Sequence, residues 1–217
     1  MSLSFELYWS FRSPYSYLAT GRIVDLVRDY DVECDVRPVY PIAIRTPEFF
    51  EKVNPLWPPY LLRDTVRIAQ MEGIPYRWPN PDPVVHDVAR GVIASEQPYI
   101  HRLTRLGVAA AERGKGLPFL DAVSHMIWSG EVDGWHEGDH LAKATARAGL
   151  DLAELDAAIE ADPASYEAKI EANQEAHTAA GHWGVPTCVF EGEPFFGQDR
   201  LSHLVWRLEQ RGLGRRA

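Results

Sequence analysis

Apolar and polar residues alternate over residues 3–8 (Leu-Ser-Phe-Glu-Leu-Tyr), the period of a strand with one face turned toward a core. The period then lengthens. Ser13-Pro14 reads as a helix start, because serine caps well and proline suits a first turn, where a backbone N–H would have no partner anyway. Leu18, Ile23, Leu26 and Val27 supply the apolar stripe of that helix. Residues 32–40 return to a strand pattern that closes at Pro41. The chain therefore opens β-α-β, with a connection long enough for a parallel pair.

From about Thr46 to about Pro163 the periodicity is helical, broken by joints rich in Pro and Gly. Helices are expected over 60–73, 118–129, 140–148 and 152–161. One or two more are expected within 84–114, interrupted near Pro98, after a proline-rich loop at 78–83. The last part predicts a helix over 164–180, strands over 187–190 and 194–196 around Glu191-Gly192-Glu193, and a helix over 200–212. That last helix carries Leu201, Leu204, Val205 and Leu208 on one face. Removing the middle block leaves the thioredoxin order of elements. The expected class is α/β, a thioredoxin-like fold with a large all-helical insertion. Residues 1–45 and 164–217 form the discontinuous thioredoxin-like domain, and 46–163 the insertion.

Composition narrows the partners. The 217 residues are 46% apolar, ample for a packed core. A net charge of −9 argues against a nucleic-acid face and against docking on anionic membranes. No apolar run approaches the roughly 20 residues needed to span a bilayer, and residues 1–8 lack the pattern of a signal peptide. The two cysteines, Cys34 and Cys188, lie far apart with no C-x-x-C, which fits a reducing cytoplasm.

Three segments carry candidate chemistry. Ser13-Pro14-Tyr15-Ser16 opens the first helix, where a thioredoxin fold would hold its C-x-x-C, and a helix N-terminus stabilises a thiolate. With serine at both positions no dithiol can cycle. Ser13 could instead donate to a thiolate brought from outside, although Ser-Pro alone also reads as a plain helix cap. Gly184-Val185-Pro186-Thr187 precedes a strand. A cis proline there would face the helix start and leave the Val185 backbone to pair with a peptide-like ligand. Phe195 to Arg200 leads into the last helix, with Asp199 a plausible N-cap. Free N–H groups at such a start suit a carboxylate, and Asp199 suits an ammonium group, the two charges of a γ-glutamyl end.

Together, Ser13-Pro14-Tyr15-Ser16-Tyr17-Leu18-Ala19, Gly184-Val185-Pro186-Thr187 and Phe196-Gly197-Gln198-Asp199-Arg200 resemble the three signatures of the kappa-class glutathione transferases, and among them the 2-hydroxychromene-2-carboxylate isomerases. The resemblance extends over nearly the whole chain, more loosely around Tyr60-Leu61-Leu62-Arg63-Asp64 and 117–128. It implies glutathione as cofactor. Ser13 would bond the glutathione sulfur, Val185 the cysteinyl backbone, and Phe196, Gly197, Gln198 and Asp199 the γ-glutamyl end. It implies a homodimer and an aromatic or electrophilic small-molecule substrate contacted from the insertion, with Asn54 and Arg45 as the matching residues. It also implies isomerisation through reversible sulfur addition, or conjugation if sulfur is retained. Arg12 stands where the family often has an apolar residue, and would either favour a thiolate or point to solvent. A DsbA-like thiol–disulfide oxidoreductase and a non-catalytic glutathione-binding module are the other classes the fold permits.

Other features carry less. His136 and His140 have helical spacing but sit among Gly134 and Gly138 without an H-E-x-x-H, so no metal site is expected. Cys34 and Cys188 fall on strands and are expected in the core. No G-x-S-x-G elbow and no phosphate-loop spacing is present.

Overall fold

The computed structural model describes residues 3–87 and 92–216. Strand β1 (Leu3–Trp9), helix α1 (Pro14–Asp29) and strand β2 (Val32–Pro38) form the opening unit, with β1 and β2 parallel and Leu3 opposite Val32. Alternation along β1 divides its side chains. Phe5, Leu7 and Trp9 enter the main core, where the Trp9 indole donates to Thr20 of α1. Tyr8 faces the opposite way, toward Val39 and Val189. Near the C-terminus, strands β5 (Thr187–Phe190) and β6 (Glu193–Phe196) complete a sheet of order β2-β1-β5-β6, β5 running antiparallel to both neighbours.

Short helices α2 (Ile42–Arg45) and α3 (Phe49–Lys52) follow β2, then α4 (Trp57–Glu72). Helix α4 starts three residues earlier than its periodicity suggests, because Pro58 and Pro59 occupy a first turn that needs no N–H donors. It ends at Gly73, whose φ of +66° favours glycine. Helices α5 (Ile100–Glu112), α6 (Gly116–Trp128), α7 (His140–Arg147), α8 (Leu152–Ala161) and α9 (Pro163–Ala179) complete the helical part before β5, and α10 (Leu201–Glu209) ends it after β6. No helix among the described residues is long and apolar enough to cross a membrane.

Two expectations need correction. Helix does not begin near Val84: β3 (His86–Asp87) pairs antiparallel with β4 (Val92–Ile93), and residues 88–91 of the expected span lie outside the described residues. Pro81, Pro83 and Pro98 deny helical N–H groups on both flanks, and the Gln97 carboxamide bonds both the N–H and the carbonyl of Val85 instead. Asp199 does not cap α10. It lies inside a 3-10 turn, Gln198–Arg200, entered from Gly197 at φ +102°, and its carboxylate pairs with Arg200 at 2.7 Å.

Candidate functional site

Ser13 is the N-cap of α1. Its backbone is extended, its Oγ accepts from the Ser16 N–H at 3.2 Å, and its carbonyl accepts from the Tyr17 N–H. The 16-residue helix directs its positive end here. Only 9% of Ser13 is exposed, and Ser16 is fully buried. The Ser16 hydroxyl is buried without a partner, whereas the Ser13 hydroxyl is bonded to the Ser16 N–H and the Val185 carbonyl.

The Val185–Pro186 peptide is cis, and its loop lies against this helix start: Ser13 Oγ donates to the Val185 carbonyl at 3.3 Å. The loop is held one carbonyl at a time. Arg45 Nη2 donates to Trp183 O at 2.8 Å, Thr187 Oγ1 to Gly184 O at 2.6 Å, and the Gly197 N–H to Pro186 O at 2.9 Å. The Gly184 N–H donates to His182 Nδ1. A Cβ at Gly184 would sit 2.4 Å from Phe196 Cε2, so a larger residue there would force the half-exposed Phe196 ring to shift. Phe196 stacks on His182, with ring centroids 3.9 Å apart, and is otherwise 42% exposed beside the loop. Ser13, Val185 and Phe196 are thus brought together across α1, the loop and β6.

Gln198 accepts from Arg22 of α1, which links the segment after β6 to the same helix. The Arg22 Nε is buried without a partner. Gly197 lies under the Asp199 carboxylate, where a Cβ would meet Oδ1 at 2.6 Å. Of the two candidates for the organic substrate, Arg45 holds the loop itself through Trp183 O, and Asn54 lies near the start of α4. Asn54 is exposed, and its Oδ1 accepts from the Leu56 N–H at the approach to α4. Arg45 lines a groove of about 780 Å³ with Ile42, Phe49, Gln174, Thr178 and Trp183.

Arg12 neither points to solvent nor stands alone as a cation. Its guanidinium grips Asp82 through Nε and Nη2, reaches His86 Nε2 at 3.2 Å, and lies 5.3 Å over the Trp78 ring. Asp82 also accepts from Trp78 and from the Val84 N–H, so Arg12 ties the 78–84 loop across the beginning of α1. Tyr15 does the same for α4, donating to Asp64 at 2.9 Å.

Buried groups behind the site are held neutral. Cys188 is 2% exposed, and burial pushes its thiol up to about 12. Burial likewise raises Cys34. His177 on α9 stacks on Tyr8, with centroids 4.5 Å apart, and both its ring nitrogens are buried without partners. Burial first, then the charges of Arg45 and His182, pull its pKa down to about 4. Sequence reasoning missed the loop anchors. Thr187 left a local signal, since a hydroxyl three residues after a free carbonyl often bonds back to it. Arg45 and Arg22 left none.

A model of the DsbA-like thioredoxin domain matches residues 5–209. No curated protein matches the sequence. Among solved structures, a 2-hydroxychromene-2-carboxylate isomerase superposes with a TM-score of 0.72 at 20% identity, over 96% of this chain and 95% of that one. A probable DsbA oxidoreductase from Streptomyces coelicolor gives 0.65 at 20% identity, over 96% and 89%. A cytosolic disulfide reductase from Pseudomonas aeruginosa, with GSH, gives 0.59 at 17% identity, over 95% and 100%. At these identities the likeness is one of fold. The family match spans nearly the whole length, and this chain belongs to the DsbA-like thioredoxin domain family.

Proposed function

We propose that this protein binds glutathione between the start of α1 and the Val185–Pro186 loop, and acts as a glutathione-dependent isomerase of the 2-hydroxychromene-2-carboxylate isomerase type. The observation that carries the reading is Ser13: a hydroxyl at a helix N-terminus, 3.3 Å from the carbonyl before a cis proline, where this fold would otherwise hold a dithiol. The residues present fit the tripeptide. Ser13 offers a donor at the sulfur position and Val185 a backbone for the cysteinyl unit. Arg22, which bonds Gln198, and the Asp199 carboxylate, now paired with Arg200, are the cation and the anion on the segment proposed for a zwitterionic γ-glutamyl end.

When bound, glutathione would supply a nucleophilic sulfur that adds reversibly to a conjugated double bond and leaves again unconsumed. The chain's part is positional and electrostatic. With glutathione bound, Ser13 Oγ, which now donates to the Val185 carbonyl, would be placed to donate to the sulfur instead and would favour its thiolate form, assisted by the α1 dipole. The pinned loop fixes the peptide backbone, so the sulfur is presented in one orientation. Disulfide exchange by the protein's own sulfur is disfavoured, because both cysteines lie on strands with thiols held protonated.

The test is calorimetric titration with glutathione, followed by absorbance assays on 2-hydroxychromene-2-carboxylate. Heat of binding and product formation without loss of glutathione are expected. Stoichiometric glutathione consumption would move the assignment to conjugation. No binding, or robust insulin reduction without added glutathione, would overturn the reading.

A further inference from the structure

Arg45 is the last residue of α2, a helix of one turn. Its Nε donates to Tyr40 O at 2.7 Å and its Nη2 to Trp183 O at 2.8 Å, joining the segment after β2 to a loop 138 residues after Arg45. The side chain is half-buried, with its Nη2 end the more exposed. Burial alone brings its pKa down to about 10, with no carboxylate among the causes, and it stays cationic at neutral pH. A partly buried guanidinium is stabilised when its N–H groups are well bonded, and Glu171 and Glu175 line the same groove. Here two main-chain carbonyls do that work, and a guanidinium's planar fork suits the task better than a point charge.

The second carbonyl is the informative one. Trp183 lies two residues before Val185. Gly184 and Pro186 carbonyls are already fixed by Thr187 and Gly197, so Arg45 anchors the entry of a loop whose exit is anchored independently. Trp183 itself is 49% exposed and packs against Phe49, a contact that leaves its backbone to be held by something else.

We infer that Arg45 is a positioning residue: by holding the Trp183 carbonyl it sets the direction in which the Val185 backbone meets a peptide ligand. For glutathione this rests on the function proposed above; the tether itself does not. The role differs from direct contact with the organic substrate. A tether acts on glutathione affinity, whereas a substrate contact acts on the KM of the second substrate.

The experiment compares wild type, R45M and R45K by amide hydrogen exchange at Gly184 and Val185, and by calorimetry with glutathione and S-methylglutathione. Exchange should accelerate in R45M, and both ligands should bind about tenfold more weakly, the scale of one lost charged hydrogen bond. R45K, whose ammonium cannot span both carbonyls in the same plane, should show the same changes in smaller measure. Because S-methylglutathione has no ionisable thiol, an equal loss for both ligands assigns the effect to backbone presentation. Unchanged exchange in a folded variant overturns the tether. Accelerated exchange with unchanged affinity overturns the positioning role. Should R45M fail to fold, R45K decides by the same two readouts. If wild type binds no glutathione, the proposed function fails, while the exchange data still decide the tether.

Discussion

Replacing Ser13 removes one hydroxyl that does two jobs, and the structure lets the two be weighed separately. In the free protein Oγ accepts from the Ser16 N–H at 3.2 Å and donates to Val185 O at 3.3 Å. The first contact is a helix cap, and Ser→Ala at an N-cap costs about 1 kcal/mol, while Ser→Gly costs only a few tenths. The second is a long neutral bond, at the low end of the roughly 0.5–1.5 kcal/mol typical of such bonds. Turning that proton to a thiolate exchanges it for a charged bond worth about 1.5–3 kcal/mol. The net gain is about 1–2 kcal/mol, and at 1.36 kcal/mol per unit it lowers the thiol pKa by about one unit. Ser13→Ala and Ser13→Gly should therefore raise the pKa of bound glutathione by the same amount, about one unit, while differing in stability. Ultraviolet thiolate absorbance of the saturated complex, titrated with pH, reads the first quantity, and urea unfolding reads the second. Below the pKa, turnover should fall about tenfold with the thiolate fraction. If both variants keep the wild-type thiol pKa, Ser13 is a cap and nothing more.

Two further predictions follow from the surroundings of the loop. Gly184→Ala places a Cβ 2.4 Å from Phe196 Cε2, so Phe196 must leave its stack on His182. Calorimetry should show weakened glutathione binding as that half-exposed ring is displaced; wild-type affinity would mean that Phe196 yields freely. His177 has a folded pKa of about 4 against an ordinary 6.5, so the unfolded chain binds the extra proton first. Its contribution is complete above pH 6.5 and is lost as pH falls toward 4, on the order of 3 kcal/mol across that window at 1.36 kcal/mol per unit. His177→Phe keeps a ring on Tyr8 without the two orphaned nitrogens, and its urea-derived stability should fall less steeply between those pH values; parallel slopes would refute the assignment.

How much of this could be read beforehand depended on whether the information was local. The alternation of Phe5, Leu7 and Trp9 against Tyr8, and the Ser-Pro start of α1, are properties of neighbours in sequence, and those elements form where expected. Residues 84–97 misled because Val84, Val85, Val92 and Ile93 satisfy a helical count as readily as a strand one. What decides the outcome is flanking proline and a Gln97 side chain that bonds across the hairpin. Asp199 has the right type for a cap, but the positive φ of Gly197 starts the turn earlier and leaves it inside. Arg12 and Arg45 were legible only as charges. Their partners, Asp82 and the Trp183 carbonyl, come 70 and 138 residues later, and no spacing rule reaches that far.

Those two partners also bear on what stabilises a thiolate at this site. A cation next to Ser13 would ordinarily be the strongest means of lowering a thiol pKa. Here Arg12 is matched by Asp82, which cancels most of its field at a distance, and Arg45 directs its donors at carbonyls. Among the described residues, what remains close to the sulfur position is the α1 dipole and one hydroxyl. A helix end contributes about 0.3–1 kcal/mol when exposed and up to about 2 kcal/mol when partly buried, so the Ser13 bond is at least a comparable share. The charge-neutral setting therefore makes the hydroxyl matter more than it would beside an unpaired arginine. Asp82→Asn, which removes one carboxylate from the Arg12 guanidinium, should accordingly lower the bound-thiol pKa where Ser13 is kept and shrink the effect of removing Ser13; an unchanged thiol pKa would refute the screening argument.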